Sequence, residues 1–127
     1  MQVDDTRPIW IQLVDAFRHR IVSGQWEPGS KIPSVRELAS GAGVNPNTVQ
    51  RALAELDRTG LTSAERTAGR FVTADAAVLD AVRRELATGA TDAYIVALTS
   101  LGMSLDGATR LLAERWTDQP VTGETQS

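Results

Sequence analysis

The sequence contains no cysteine and only one histidine among its 127 residues. The absence of cysteine excludes disulfide bonds, thiolate catalysis and zinc sites built from thiolates. The single histidine, His19, lies between Arg18 and Arg20 on the polar side of a predicted helix. We therefore expect it at the surface rather than in a catalytic or metal site, and we predict that the protein binds no metal and no cofactor.

Long apolar runs are also missing. No stretch approaches the roughly 20 apolar residues that are needed to span a bilayer. The first five residues are mostly polar and acidic, unlike the basic start and apolar run of a signal peptide. These features predict a soluble, cytoplasmic protein with no membrane partner.

The sequence patterns of common enzymes do not occur. The serine and threonine residues have no histidine nearby in sequence and no nucleophile-elbow pattern, and there is no glycine-rich phosphate loop. The acidic residues fall at helix starts and exposed helical positions, where capping and solubility account for them. We predict a protein that is not an enzyme and has no catalytic residues.

Charge is distributed unequally along the chain, whose formal net charge is −3. Residues 1–73 carry nine Lys and Arg against eight Asp and Glu, whereas residues 74–127 carry four against eight. DNA-binding domains are usually basic, but phosphate attraction depends on local clusters of cations rather than on the total. The acidic total therefore does not exclude nucleic acid as a partner.

Helical signals begin directly after Pro8. Apolar residues recur at helical spacing and predict a first helix over about 9–23. Ser34 and Glu37 have the spacing of a reciprocal capping box, which predicts a short second helix over about 34–40.

A third helix and a hairpin follow. Asn45 before Pro46 is typical of an N-cap and a first-turn proline, and it predicts a helix that ends near Arg58. Two short helices joined by a glycine-containing turn form a helix-turn-helix. Segments 61–65 and 70–73 can pair as two strands, and the resulting hairpin would be a wing.

The third helix has a polar face opposite its apolar stripe. That face consists of Asn47, Arg51, Ala54 and Arg58. Arginine can bond guanine O6 and N7, and asparagine can pair with adenine N6 and N7, so the face suits base recognition in a major groove. An ordinary solvated helix face shows the same pattern, and this helix alone does not decide between the two interpretations.

Arginines on neighbouring elements favour DNA contact. Arg36 lies on the outer side of the second helix, with Ser34 one turn before it. Arg66 and Arg70 flank the small-residue tip of the hairpin, where a wing could enter a minor groove. A single exposed arginine is usually only solvated, but three separate elements here place arginine on one expected surface.

Residues 8–72 closely resemble the GntR family of winged-helix repressors. The motifs that carry the resemblance are PIWIQL at 8–13, GSKIPSVRELA at 29–39, GVNPNTV at 43–49 and GRFV at 69–72. The resemblance implies base or phosphate contacts from Arg36, Asn45, Asn47 and Thr48 and from the wing around Gly69. It also implies a dimer that reads a short inverted repeat of operator DNA. The complete predicted DNA-binding set is Ser34, Arg36, Asn45, Asn47, Thr48, Arg51, Arg58, Arg66, Gly69 and Arg70.

The wing departs from the family pattern at one position. The family usually has Arg-Gly-x-Gly before an aromatic residue, and Thr67 occupies the first glycine position here. Because a β-branched residue resists a positive φ, we expect a wing tip of different shape.

The C-terminal part contains two further helical patterns, separated by a break at 102–104 where Ser104 is the predicted N-cap. Two apolar stripes cannot be buried by one helix pair alone, which favours a symmetric partner over folding back on the first helix. The predicted dimerisation residues are Val82, Leu86, Tyr94, Leu98, Leu101, Leu105, Leu112 and Trp116. Gly89 is either a bend or a tolerated position within the first of these helices.

The overall prediction is a mainly α fold with a small β-hairpin wing. A winged helix-turn-helix occupies residues 7–75, a helical dimerisation region occupies 76–117, and a disordered tail occupies 118–127. The short two-helix extension resembles the YtrA subfamily, which implies control of a transporter operon or of the regulator's own gene. This short extension leaves little room for a ligand pocket inside one subunit, although two subunits could form a pocket at their interface.

We therefore predict a sequence-specific DNA-binding regulator, a repressor that binds an inverted-repeat operator as a homodimer. Two alternatives remain: a winged helix that binds another protein, and a regulator that a small molecule releases from DNA. Salt separates DNA from protein as the partner, because phosphate contacts lose affinity steeply with salt.

Overall fold

A computed structural model describes residues 6–119, and within them the fold is mainly helical with one antiparallel hairpin. The elements are α1 (Ile9–Val22), α2 (Val35–Ala42), α3 (Pro46–Arg58), β1 (Thr62–Glu65), β2 (Gly69–Val72), α4 (Ala76–Ser100) and α5 (Leu105–Asp118). The predicted fold class is confirmed, with helix ends within two residues of those predicted for α1, α2 and α3. In the described range no helix has the length and apolar character that crossing a membrane requires.

The chain forms two compact units that divide after Glu85, inside α4. The first unit therefore includes the opening turns of α4, because Leu79 is buried in its core. The second unit comprises the rest of α4 together with α5. Of the tail predicted at 118–127, Asp118 is the last residue of α5, and positions 120–127 lie outside the described residues.

Side-chain caps determine where α2 and α3 begin. The Ser34 hydroxyl accepts the Glu37 N–H at 3.1 Å, and the Glu37 carboxylate accepts the Ser34 N–H at 2.9 Å, which completes the predicted capping box. Gly43 ends α2 with a φ of +68°, a left-handed conformation that glycine adopts readily. Asn45 then caps α3 by accepting the Asn47 N–H at 2.7 Å. These local bonds define the helix-turn-helix.

The core of the first unit lies between α1 and α3. The stripe of α3 (Val49, Ala52, Leu53 and Leu56) is at most 1% exposed. It packs among apolar side chains of α1, chiefly Leu13, Phe17 and Ile21. Burial of one such aliphatic or aromatic side chain contributes about 1.5–3 kcal/mol, so this contact is the main source of stability for α3.

The hairpin is joined to the segment that precedes α2. β1 and β2 pair in the register Thr62↔Val72 to Glu65↔Gly69. The Val72 N–H donates to the Ser30 carbonyl at 2.9 Å, and the Ile32 N–H donates to the Arg70 carbonyl at 3.0 Å. This third strand-like segment holds the wing against the start of α2.

The wing tip turns at Gly69 rather than at Thr67. No non-glycine residue in the described part has a positive φ, whereas Gly69 has a φ of +113°. A Cβ atom at Gly69 would also lie 2.5 Å from Cε of Lys31, whose side chain crosses it. The positive φ explains why glycine stands there, because the flexible end of the Lys31 side chain could move aside for a Cβ atom.

The second unit is a helix pair that leaves its apolar side chains accessible. α4 runs through Gly89 without a break, and Ser104 caps α5 as predicted, by accepting the Gly107 N–H at 3.2 Å. The Tyr94 hydroxyl donates to the Ala108 carbonyl at 3.2 Å and links the two helices. No side chain between 86 and 119 is fully buried. The large exposed apolar side chains of this unit are Ile95, Val96, Leu101, Leu105, Leu111, Leu112 and Trp116.

The capping box predicts a specific pH dependence. Hydrogen bonds from the Ser34 N–H and hydroxyl, with a smaller contribution from the Lys31 charge, lower the pKa of Glu37 below its ordinary 4.5. The ionised carboxylate therefore stabilises the fold above about pH 4.5, and this stabilisation is lost as the pH falls through the folded-state pKa. Glu37→Gln keeps an N3 acceptor without the charge. We expect the free energy of unfolding of the wild type to exceed that of E37Q at pH 7, and the difference to shrink below pH 4.5.

Urea unfolding at several pH values measures this difference. Glu65→Gln, at the end of β1, serves as the control for removal of one exposed carboxylate. A wild-type advantage over E37Q that stays constant between pH 7 and pH 3 would contradict the assignment.

Candidate nucleic-acid interface

The exposed face of α3 carries the amide and guanidinium groups that the sequence predicts. Asn45, Asn47 and Arg51 are exposed there, and Thr48 is half-buried. Gln50 is also exposed, one turn from Asn47 on the same helix. Gln50 is absent from the set predicted from the sequence, although its amide has the same hydrogen-bonding groups as asparagine and can pair with adenine. Its position three residues after Asn47 was the available signal.

The start of α2 adds a second set of polar groups. Arg36 is exposed in the first turn, and Ser34 is exposed at the cap. The Ser34 oxygen accepts the Glu37 N–H at this exposed N-cap. Lys31, which is also absent from the predicted set, is exposed and lies two residues before Pro33.

A groove separates α2 from the wing. It has a volume of about 590 Å³, and its lining includes Lys31, Ser34 and Glu37 on one side and the wing residues 67–70 on the other. Residues of α2 and of the wing therefore face a common concave surface. Its shape suits an extended, charged strand more than a compact apolar ligand, because it is open and carries a lysine and an arginine in its walls.

Two of the predicted contact residues, Arg70 and Arg58, are hydrogen-bonded to carboxylates of the chain itself. Arg70 Nη2 bonds Asp57 Oδ2 at 3.0 Å and Arg70 Nε bonds Asp57 Oδ1 at 3.1 Å, and the Thr62 hydroxyl donates to the same carboxylate at 2.6 Å. This network joins the wing to the end of α3, and the Arg70 side chain is only 15% exposed. The Arg70 guanidinium is therefore directed from β2 toward the end of α3 rather than outward from the wing tip.

Arg58 is held in the same manner on the last turn of α3. Two of its three guanidinium nitrogens bond the Glu55 carboxylate: Nε lies 2.9 Å from Oε1, and Nη2 bonds Oε2. This hydrogen bonding lowers the pKa of Glu55 and raises the pKa of Arg58. The i,i+3 spacing of the pair could have been recognised in the sequence, and it removes Arg58 from the set of unpaired cations.

The remaining cations of this surface form no salt bridge within the described residues. Within residues 6–119, salt bridges engage Arg7, Arg18, Arg58, Arg70, Arg83 and Arg115. In that same range Lys31, Arg36, Arg51 and Arg66 form no salt bridge, and all four side chains are exposed. These four residues, which we call the open cations, lie on α2, on α3, at the wing tip and beside the wing. Their donors are available to an external polyanion.

Comparison with known proteins gives a consistent result. The sequence profile described as "Bacterial regulatory proteins, gntR family" matches residues 11–72. The chain is 33% identical over 103 residues to the uncharacterized HTH-type transcriptional regulator YhcF of Bacillus subtilis, covering 81% of this chain and 85% of YhcF. It is 37% identical over 78 residues to the HTH-type transcriptional repressor YtrA of Bacillus subtilis, covering 60% of each chain.

Solved structures agree with these sequence matches. A GntR family transcriptional regulator from Listeria monocytogenes matches with a TM-score of 0.76 and 34% identity, over 88% of this chain and 98% of that chain. The AraR DNA-binding domain in complex with operator ORR3 matches with a TM-score of 0.52 and 27% identity, over 57% of this chain and 88% of that chain.

The Asp57 network predicts a measurable contribution to stability. Asp57→Ala removes the acceptor of Arg70 and Thr62, both of which are mostly buried, and we expect it to lower the free energy of unfolding by about 1–3 kcal/mol. Arg58→Ala breaks a neighbouring but exposed ion pair and should lower stability much less, because solvent screens that pair. Thermal and urea unfolding compare the two variants. If D57A and R58A lowered the free energy of unfolding equally, the Asp57 network would not anchor the wing.

Proposed function

Because the chain belongs to the GntR family of bacterial regulatory proteins, it is a DNA-binding transcriptional regulator and not an enzyme, and we propose that it represses transcription by binding an inverted-repeat operator as a homodimer. The observation that carries this proposal is the position of the open cations. Six other arginines are paired with carboxylates, whereas these four are exposed and unpaired on the elements that a winged helix presents to DNA. The resemblance to the operator-bound AraR domain supports operator DNA as the partner.

The exposed groups divide by chemistry. We assign base recognition to Arg36, Asn47 and Gln50, because guanidinium and amide groups can bond base edges in the major groove. Arg66 at the wing tip suits a minor groove, whose negative potential attracts arginine.

Groups at the groove and at the start of α3 suit the DNA backbone. We assign phosphate contacts to Lys31, Ser34, Asn45 and Thr48, which border the groove or begin α3. Gly69 lets the Lys31 stem pass close to the wing. Arg70 and Arg58 act within the protein, where they fix the wing and the last turn of α3.

The helix pair supports the homodimer. Seven large apolar side chains of the pair are exposed in the described chain, and extended apolar patches usually mark an interface. A second copy can bury Leu101, Leu105, Leu112 and Trp116, which are 44–83% exposed in the single chain. Two-fold symmetry then implies a palindromic operator with half-sites about one helical turn, roughly 34 Å, apart.

A ligand-released regulator is the second candidate. An apolar concavity of about 390 Å³ in the helix pair, lined by Tyr94, Leu112 and Trp116 among others, has the size of a small-molecule site. The same concavity lies within the proposed dimer face, so a partner side chain is the competing occupant. Retained operator binding across a panel of candidate metabolites would count against ligand release.

Selection of bound sequences from a random DNA pool at two salt concentrations tests the main proposal. We expect an enriched inverted repeat whose affinity falls steeply with salt. The resemblance to the YtrA subfamily predicts that such a site lies upstream of a transporter operon or of the regulator's own gene. Absence of enrichment with folded protein would favour a protein-binding winged helix.

Arg36→Ala tests base recognition. If Arg36 bonds a guanine edge, the variant should lose about 1–3 kcal/mol of operator binding and relax the preference at one base pair. Arg110→Ala is the matched control, because it removes an exposed arginine from the outer side of α5. Fluorescence anisotropy with operators substituted at each position gives the measurement. If R36A lost the same affinity for every DNA sequence, Arg36 would contact a phosphate rather than a base.

Leu112→Glu tests the dimer. The substitution places an unpaired charge in the proposed apolar interface, which should dissociate the homodimer. Arg110→Glu introduces the same side chain on the opposite side of α5 and should leave the mass unchanged. Light scattering measures the mass, and circular dichroism checks that the helices persist. A dimeric, folded L112E protein would place the interface elsewhere.

A further inference from the structure

Trp10 on α1 and Arg51 on α3 are in direct contact although 41 positions separate them in the sequence. The guanidinium carbon of Arg51 lies 4.2 Å from the centroid of the Trp10 ring. This distance is well within the range of roughly 6 Å over which a cation is attracted to an aromatic face. Trp10 is half-buried and Arg51 is exposed, so the stack lies at the border between the core and the DNA-facing surface.

The stack orders Arg51 without using its hydrogen-bonding capacity. A guanidinium that lies on an aromatic ring uses its flat face, while its N–H donors point outward in the plane. Arg51 forms no salt bridge or hydrogen bond within residues 6–119. Its donors therefore lack an acceptor in the described chain, while its position is already restricted before any ligand arrives.

Trp10 differs from the other apolar residues of α1. Leu13, Phe17 and Ile21 are at most 2% exposed and fill the centre of the core. Trp10 packs only against the edge of that cluster. Burial in the core therefore explains why those three positions are apolar. It explains Trp10 less completely, because the outer face of the Trp10 ring contacts the Arg51 cation.

We propose that Trp10 is a positioning residue for operator binding, because its indole ring holds the Arg51 guanidinium where its N–H edge contacts a backbone phosphate beside the major groove. A phosphate is the better acceptor than a base, since Arg51 is turned toward α1, away from the part of the helix face that carries Gln50. Backbone phosphates line the walls of the groove, and base edges lie at its floor. This inference rests on the proposed function.

Pre-ordering lowers the conformational entropy that Arg51 loses on binding. We expect Trp10→Leu to weaken operator binding about two- to fivefold, which corresponds to one exposed cation–π contact. Arg51→Gln removes the phosphate contact itself and should weaken binding about tenfold. Its salt slope should also fall by about one unit, with an equal loss on every DNA sequence.

A double-mutant cycle separates positioning from a general effect on the fold. In the Arg51→Gln background, Trp10→Leu should cause no further loss of affinity, because Trp10 acts through Arg51. Trp10→Phe retains an aromatic face and should restore part of the affinity. Ile9→Ala, a neighbouring exposed residue on α1, is the control and should bind as the wild type. The inference is overturned if the affinity losses of the two single variants multiply in the double variant. It is also overturned if a folded W10L protein binds the operator with wild-type affinity.

A measurement on the free protein distinguishes failure of this inference from failure of the proposed function. Nitrogen-15 relaxation of the Arg51 Nε–H should report an ordered side chain in the wild type and a mobile one in W10L. Operator binding with a mobile wild-type Arg51 overturns the positioning role alone. An ordered Arg51 in a wild type that selects no DNA overturns the proposed function and, with it, the phosphate contact. A loss confined to one base pair in R51Q overturns the phosphate assignment, because it identifies a base as the acceptor.

Discussion

The burial of one face of α3 fixes the direction of its opposite face. Val49, Leu53 and Leu56 are nearly inaccessible because α1 covers them, and rotation of the helix would expose them to water. The polar face therefore points outward as a consequence of core packing. The Asn45 cap sets the residue at which the helix begins, and the Asp57 network attaches the wing to its other end. One apolar contact thus positions the recognition surface, and polar contacts at both ends of α3 place the neighbouring elements relative to it.

Electrostatics explains how an acidic chain presents a surface for DNA. The net charge of −3 includes many carboxylates, but several of them are bonded to arginines that lie away from the proposed interface. At the interface itself, Glu37 serves as a cap and Glu55 is paired with Arg58. The open cations form no salt bridge in the described residues. Local pairing, rather than total charge, determines which guanidinium groups remain available to phosphate.

Features encoded by neighbouring residues were predictable from the sequence, and features that depend on the tertiary fold were not. The Ser34–Glu37 box and the Asn45 cap join residues at most three positions apart, and the structure confirms both as predicted. In contrast, Arg70 is 13 positions from Asp57, and no local pattern indicates that a carboxylate occupies its guanidinium. The Trp10–Arg51 stack spans 41 positions and joins two residues whose patterns indicated core and surface respectively.

Gly89 illustrates the same distinction in the helix pair. Glycine weakens a helix by about 1 kcal/mol relative to alanine, which left a bend and a continuous helix equally consistent with the sequence. α4 continues through it because helix-forming residues flank it on both sides, and one unfavourable position does not interrupt a helix of 25 residues.

The unburied helix pair connects oligomeric state to function in the proposed regulator. Between 86 and 119 no side chain is fully buried, so the pair lacks the core that stabilises the first unit. If a second copy supplies that core, folding of the pair and association are one equilibrium, and both depend on protein concentration. Association also doubles the number of open cations that one operator meets, which steepens the salt dependence of binding. A weak dimer would therefore make operator occupancy respond to the amount of regulator more sharply than a monomer could.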